Sequence, residues 1–196
     1  MNHNRILVLF AHSTPESSRV HRRMADAARL VPQVFLHDLY ETYPDFYIDV
    51  AREQSLVAQA QVLVLLHPIQ WYSMPALMKE WCDLVLPACW SGHSHDGILK
   101  GKRCWLVTST GSPAEEFAVG ARHGRPFDHY LAPYRQMATV CGMEWLAPCV
   151  LHDARTVDAA TLDAHVAAFA DRLQELVEAT SLPSYLPEIA APSDGT

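Results

Sequence analysis

The sequence predicts an α/β domain built on a five-stranded parallel sheet in the order 2-1-3-4-5, with helices on both faces. Five short apolar runs, "RILVLFAH", "QVFLHDL", "QVLVLLH", "RCWLVTS" and "EWLAPCVLH", have the unbroken hydrophobicity of strands covered on both sides. Each is followed by a stretch of helical character, so neighbouring strands join by crossovers and run parallel. At 196 residues the chain has room for one such domain and a sizeable core.

Taken in order, the first strand leads into "ESSRVHRRMADAARL", whose apolar Val20, Met24, Ala28 and Val31 recur every three or four residues. The second leads into "VAREQSLVAQA" and the third into "PALMKEWCDLVL". The fourth passes through a long connection to "DHYLAPYRQMATVCG", and the fifth runs into "DAATLDAHVAAFADRLQELVEAT". The domain is expected over residues 1–180. Beyond it, residues 181–196, "SLPSYLPEIAAPSDGT", contain prolines that cannot continue a helix, and we expect a tail lying on the surface or on a partner subunit.

A net charge of −7 argues against nucleic acid or an anionic membrane as a broad-surface partner. The odd cysteine count, with Cys82, Cys104 and Cys149 inside apolar runs, suits reduced thiols and a cytoplasmic location. No stretch approaches the ~20 apolar residues of a membrane span, so any membrane role runs through a protein partner.

In this strand order a ligand crevice opens at the carboxyl ends of strands 1 and 3, where the winding reverses. Three loops meet there. "AHSTPESSRVHRR" offers Ser13, Thr14, Ser17 and Ser18 before a helix start, with His12 and the Arg19, Arg22 and Arg23 cluster, a donor set suited to a phosphate; an N-cap with a solvated basic face explains the same residues. "HPIQWYS" presents the amides of Ile69, Gln70, Trp71 and Tyr72 to the edge of a planar ring, with Trp71 and Tyr72 as apolar cover; core packing of both aromatics is the alternative. "STGS", Ser109, Thr110, Gly111 and Ser112, lets backbone approach a ligand closely, as many ordinary turns also do. Neither GxGxxG nor GxxxxGK[ST] is present, which disfavours a Rossmann dinucleotide site and a P-loop.

At these residues the sequence resembles the flavodoxin-like NAD(P)H:quinone oxidoreductases. "HPIQWYSMPALMKEWCDLV" is similar to that family's flavin loop and following helix, and "STGS" with Phe117 and His123 is similar to its TTGG segment. "DLYETYPDFYIDVAREQ" resembles the signature of the bacterial subgroup that serves as ancillary subunits of glutathione-regulated potassium efflux. The resemblance runs from about Ile6 to Leu176. It implies a flavin, FMN with FAD as the alternative, held by His12, by Ser18, Arg19, Val20 and His21, by Ile69, Gln70, Trp71 and Tyr72, and by Ser109, Thr110, Gly111 and Ser112. It departs from relatives in the first loop, which has Ser-Arg-Val-His at residues 18–21 where they place an Asn late in the segment, and at Phe117, where the animal enzymes have a tyrosine.

The resemblance further implies ping-pong hydride transfer from NAD(P)H to a quinone, with Tyr72, Phe117 and His123 on the substrate side. It also implies a homodimer, and a potassium-efflux protein of the inner membrane as second partner; Trp81 and Trp90 suit an apolar interface, and core burial explains them equally well. Two other readings stay open: a flavin- or nucleotide-binding regulatory subunit with little turnover, and, as the weaker, a zinc site in "CWSGHSHD" through Cys89, His93, His95 and Asp96. His3, His37, His129, His152 and His165 show no partner pattern, and Glu115 and Glu116 read as a solvated pair, with an approach to substrate or partner as the alternative.

Overall fold

The computed structural model describes residues 5–89 and 97–181, with the side chains of residues 88, 89 and 181 left out. The chain runs β1 (Ile6–Phe10), α1 (His21–Leu30), β2 (Val34–Asp38), α2 (Leu39–Thr42), α3 (Val50–Gln59), β3 (Val62–Pro68), α4 (Ala76–Cys89), β4 (Arg103–Ser109), α5 (Asp128–Val140), β5 (Glu144–Trp145), β6 (Cys149–Leu151) and α6 (Ala159–Ser181). The sheet is parallel with the order β2-β1-β3-β4-β5, and β6 also pairs with β4. The predicted order therefore stands.

Alternation along the central strands divides the core. Leu7, Leu9, Leu63, Leu65 and Leu106 face the layer of α3, α4 and α5, while Ile6, Val8, Val64, Trp105 and Val107 face α1 and α6. Both faces are buried, which is why these strands carry no polar alternation.

Three details differ from the sequence expectation. The first helix begins at His21 rather than Glu16, because Pro15–Ser17 forms a separate 3-10 turn and the Ser18 hydroxyl accepts from His21 N at 3.0 Å; Val20 is thus the N-cap. The fifth strand is broken. Its halves pair Arg103 with Glu144 and Cys104 with Trp145, then Val107 with Cys149, so three residues around Ala147 and Pro148 oppose two on β4. Trp105 Nε1 donates to Ala147 O at 3.0 Å and holds that bulge. The short α2 was not anticipated; its first turn is capped by Asp38, which accepts from Tyr40 N and Glu41 N.

The "DLYETYPDFYIDVAREQ" segment folds around a buried carboxylate. Glu53, wholly buried, accepts from Tyr43 Oη at 2.5 Å and His37 Nε2 at 2.9 Å through Oε1, and from Trp81 Nε1 at 2.8 Å through Oε2. Burial alone would raise its pKa, but the donors His37, Tyr43 and Trp81 outweigh it and hold the carboxyl below its ordinary value. An ionised carboxylate only accepts, so His37 carries its proton on Nε2. Asp49 caps α3 by accepting from Arg52 N. Of the two places open to Trp81, interface and core, it takes the core; Trp90 falls outside the described residues.

The four cysteines with described side chains form no disulfide, and burial pushes the Cys82 thiol up to about 12 and Cys149 up to about 11. No helix among the described residues is long and apolar enough to cross a membrane, and no metal-binding cluster is found among them. Cys89, His93, His95 and Asp96 of the zinc reading, and tail residues 182–196, lie outside the described side chains.

Candidate functional site

The loops after β1, β3 and β4 meet around one cleft of about 430 Å³. Its lining takes His12, Ser18, Arg19, Val20 and His21 from the first loop, Ile69 and Gln70 from the second, and Ser109, Thr110 and Gly111 from the third. Ten of the residues expected to hold a cofactor are thus brought together. Three are not. Trp71, Tyr72 and Ser112 lie outside the lining, for separate reasons.

Gln70 to Ser73 make a two-residue hairpin: Gln70 N donates to Ser73 O at 2.9 Å and Ser73 N to Gln70 O at 3.0 Å. Trp71 and Tyr72 occupy its centre at φ 46° and 66°, left-handed values that this turn type requires and usually gives to Asn and Gly. The indole of Trp71 is 94% exposed, so it neither joins the core nor fills the cleft. Of the four amides expected to face a ring, Ile69 N is taken by Ser109 O at 2.8 Å and Gln70 N by Ser73 O. Among the described residues Trp71 N and Tyr72 N make no hydrogen bond, so only these two remain available.

Two αL aromatics cost roughly 1–2 kcal/mol each. Replacing Trp71-Tyr72 by Asn-Gly is therefore expected to raise stability by about 1–2 kcal/mol in urea titration while weakening whatever the turn holds. An unchanged or lower urea midpoint would show that the strain is already compensated.

Ser112 serves the loop itself. Its carbonyl accepts from Thr110 Oγ1 at 2.7 Å and from Asp153 N at 3.0 Å. Thr110 N donates to Leu151 O and Ala154 N to Thr110 O, both at 2.9 Å, so the loops after β4 and β6 are stitched together. Because Thr110 spends its hydroxyl proton on Ser112 O, its 2.9 Å contact with His152 Nδ1 requires the imidazole to donate. Through this stitching the β6–α6 connection adds Ala154 and Arg155 to the cleft. A sequence reading restricted to the first, third and fourth strands had no signal for Arg155, and none for His152.

The first loop is polar but internally tied. Thr14 N donates to His12 Nδ1 at 3.2 Å, and Ser17 Oγ donates to Thr14 O at 2.8 Å. Arg19 reaches across to Arg155 O and Val157 O at 3.3 and 3.2 Å, closing one wall of the cleft. His12 and His21 approach with ring centroids 5.6 Å apart. Burial, reinforced by neighbouring His12, His67 and His165, drives His21 down to about 3, and burial lowers His12 as well. His21 is therefore neutral near pH 7.

Beside the cleft stands an aromatic cluster. Phe117 stacks on His123 at 4.2 Å and 16°, Tyr72 stacks on Tyr130 at 5.0 Å, and Tyr72 Oη lies 3.3 Å from His123 Nδ1. His123 N donates to Glu116 O at 3.1 Å, and Tyr130 Oη to His123 O at 2.6 Å, pinning that peptide from both sides. Of the three residues expected on a substrate side, Tyr72 and Phe117 each contact His123. Glu116 is also here, its side chain partly exposed but its Oε2 buried and 3.5 Å from His123 Nε2, whereas Glu115 is exposed.

The chain matches the family described as flavodoxin-like fold over residues 4–176. It is 39% identical over 175 residues to the glutathione-regulated potassium-efflux system ancillary protein KefF of Citrobacter koseri, covering 89% of this chain and 98% of that protein. Among solved structures, one described as a thermophilic tryptophan halogenase from Streptomycin violaceusniger is 32% identical with a TM-score of 0.80, over 85% of this chain and 97% of the other. General stress protein 14 of Treponema denticola, in complex with FMN, is 31% identical with a TM-score of 0.76, over 89% and 98%. An NADPH-quinone reductase from P. pentosaceus is 26% identical with a TM-score of 0.76, over 86% and 96%. These descriptions name different activities, so the fold alone does not choose among them. What they share is the architecture found here, and the chain belongs to the flavodoxin-like fold family, together with the ancillary proteins of glutathione-regulated potassium efflux.

Proposed function

We propose that the protein is a flavin-dependent NAD(P)H:quinone oxidoreductase that binds FMN in this cleft and is ancillary to a potassium-efflux antiporter. The observation that carries the reading is the meeting of three loops in one cleft flanked by an aromatic cluster. Its volume falls in the range of small-molecule sites.

The donor set fits the cofactor. Ser18, whose hydroxyl proton is not used by its bond from His21 N, and Arg155 bring a hydroxyl and a guanidinium donor suited to a phosphate beside the start of α1, with Arg19 in the adjoining wall. A Cβ at Gly111 would meet Arg155 Nε at 3.2 Å, so any larger residue there would press on the guanidinium. FMN held there would supply two-electron hydride chemistry between NAD(P)H and a quinone. The chain's part is to hold and orient: Trp71 N and Tyr72 N offer two unpaired donors to a ring edge, and Gln70 an amide. Phe117 gives a flat apolar surface, and Tyr72 and His123 place proton-carrying groups beside it.

Titration of the purified protein with FMN, followed by its visible spectrum and by fluorescence quenching, tests the cofactor; absence of any bound flavin in excess FMN sinks the proposal. Arg155→Ala is expected to weaken FMN binding by about 10-fold or more, the worth of one charge-assisted hydrogen bond. An unchanged dissociation constant would remove Arg155 from the phosphate site. The regulatory-subunit reading uses the same cleft. NAD(P)H oxidation with a benzoquinone below roughly 0.1 per second, against the ordinary ~1–1000, would favour it.

We further infer a cytoplasmic homodimer. An apolar groove of about 380 Å³ between α4 and α5, lined by Met74, Leu86, Pro87, Pro133 and Met137 among others, supports association through these helices. Sedimentation at the mass of one subunit would refute it. The efflux partner is supported by the names of the relatives.

A further inference from the structure

Three side chains beside the cleft form a line that the function described so far does not use in full. Tyr72 Oη lies 3.3 Å from His123 Nδ1, and His123 Nε2 lies 3.5 Å from Glu116 Oε2. The last two atoms are buried, and neither makes another hydrogen bond among the described residues. A small turn of either side chain closes their gap to hydrogen-bond length. Among the described residues the one other charge paired with Glu116 is the exposed Arg122, whose Nη1 lies 3.7 Å from the same oxygen.

The imidazole cannot drift from this line. Its ring is stacked on Phe117, its peptide N–H is tied to Glu116 O and its carbonyl to Tyr130 Oη. Tyr72 is fixed in turn by Tyr130 and by the left-handed turn that aims it away from the core. Strain of this kind persists where a side chain has a task.

We propose that Glu116 is a positioning residue that keeps His123 as the proton source for Tyr72, whose phenol protonates the oxygen of the hydride acceptor. The proposal rests on the quinone-reductase reading and names residues that complete it. A quinone carbonyl system that has received a hydride carries a negative oxygen and needs one proton. The Tyr72 O–H bond breaks and an O–H bond forms on that oxygen. The Nδ1–H bond of the His123 imidazolium breaks and restores the phenol. Glu116 stays ionised throughout, accepting from Nε2–H and so supporting the imidazolium before transfer and fixing the ring afterwards. The imidazole then regains its proton from water, and no oxidant or reductant beyond NAD(P)H and the quinone is required.

Two acceptors separate this role from a structural one. Benzoquinone needs a proton on oxygen, whereas ferricyanide accepts one electron at a time and needs none. With FMN-loaded protein and NADPH, Glu116→Gln is expected to lower the ratio of benzoquinone to ferricyanide turnover by about 10-fold or more, mainly in kcat. His123→Gln and Tyr72→Phe are expected to lower the same ratio, and Glu116→Asp to restore part of it. If Glu116→Gln slows both acceptors equally, or changes neither, Glu116 has no part in proton delivery and the proposal is overturned. If the wild-type holoprotein reduces neither acceptor, the redox reading falls and this proposal falls with it.

Discussion

Glu53→Ala is expected to destabilise the protein by about 3–5 kcal/mol, the largest single-residue effect in the described core. The carboxylate satisfies three buried donors from three elements: His37 on β2, Tyr43 after α2 and Trp81 on α4. Truncation leaves all three without an acceptor where water does not reach, and an unmade bond to a buried group costs more than a made one contributes. For a domain of this size the melting temperature should fall by roughly 10 °C. Glu53→Gln should cost less, since one amide oxygen still accepts while its NH₂ opposes a donor. Trp81→Phe, which deletes one donor, leaves Glu53 Oε2 unpaired and opens a small cavity, should cost about 2–3 kcal/mol. Urea unfolding of the three variants checks the order. A loss below about 1 kcal/mol for Glu53→Ala would mean that the cluster is no anchor.

The second large effect is on the acid side. Burial drives His21 down to about 3 and His67 down to about 4, the latter only partly offset by its 2.9 Å bond to Pro68 O. In the unfolded chain both titrate near 6.5. Between these values the unfolded state binds protons that the folded state refuses, so stability falls as pH falls, by up to ~2.7 kcal/mol per unit for two groups. From pH 6.5 to 4 the loss is on the order of 5 kcal/mol, comparable to the whole stability of many domains. Glu53 adds to it only further down, because a carboxyl held below its ordinary value loses its stabilisation as pH passes through that folded value. Unfolding by urea at pH 7, 5.5 and 4.5 should show a steep decline. His67→Gln, which can keep a donor toward Pro68 O, should flatten it by nearly half. A decline as steep in His67→Gln as in the wild type would mean that His67 takes up its proton while folded.

Much of the fold was legible because β1, β3 and β4 are buried on both faces, and burial on both faces writes itself as an unbroken apolar run. The loops that form the cleft were legible for the same reason, since they follow those strands. Three features were not. The helix start at His21 was hidden because Ser17, Ser18 and Arg19 read equally well as a first turn, and only the Ser18 hydroxyl bond distinguishes a cap from a helical residue. The turn at Trp71 and Tyr72 was hidden because aromatic residues seldom take left-handed angles, so their exposure ran against propensity. Arg155 and His152 were hidden because their approach depends on the stitching of the loops after β4 and β6, hydrogen bonds between backbones that carry no residue signature.

The broken fifth strand has a consequence for how copies of this molecule can meet. A long flat outer strand would present a ladder of free donors and acceptors to any neighbour, the template for open-ended β-aggregation. Here that margin is cut into pieces of two and three residues, with Pro148 and a side-chain clasp from Trp105 between them. Sheet continuation is thereby denied at this margin, where a second copy of the chain finds no unbroken ladder to extend.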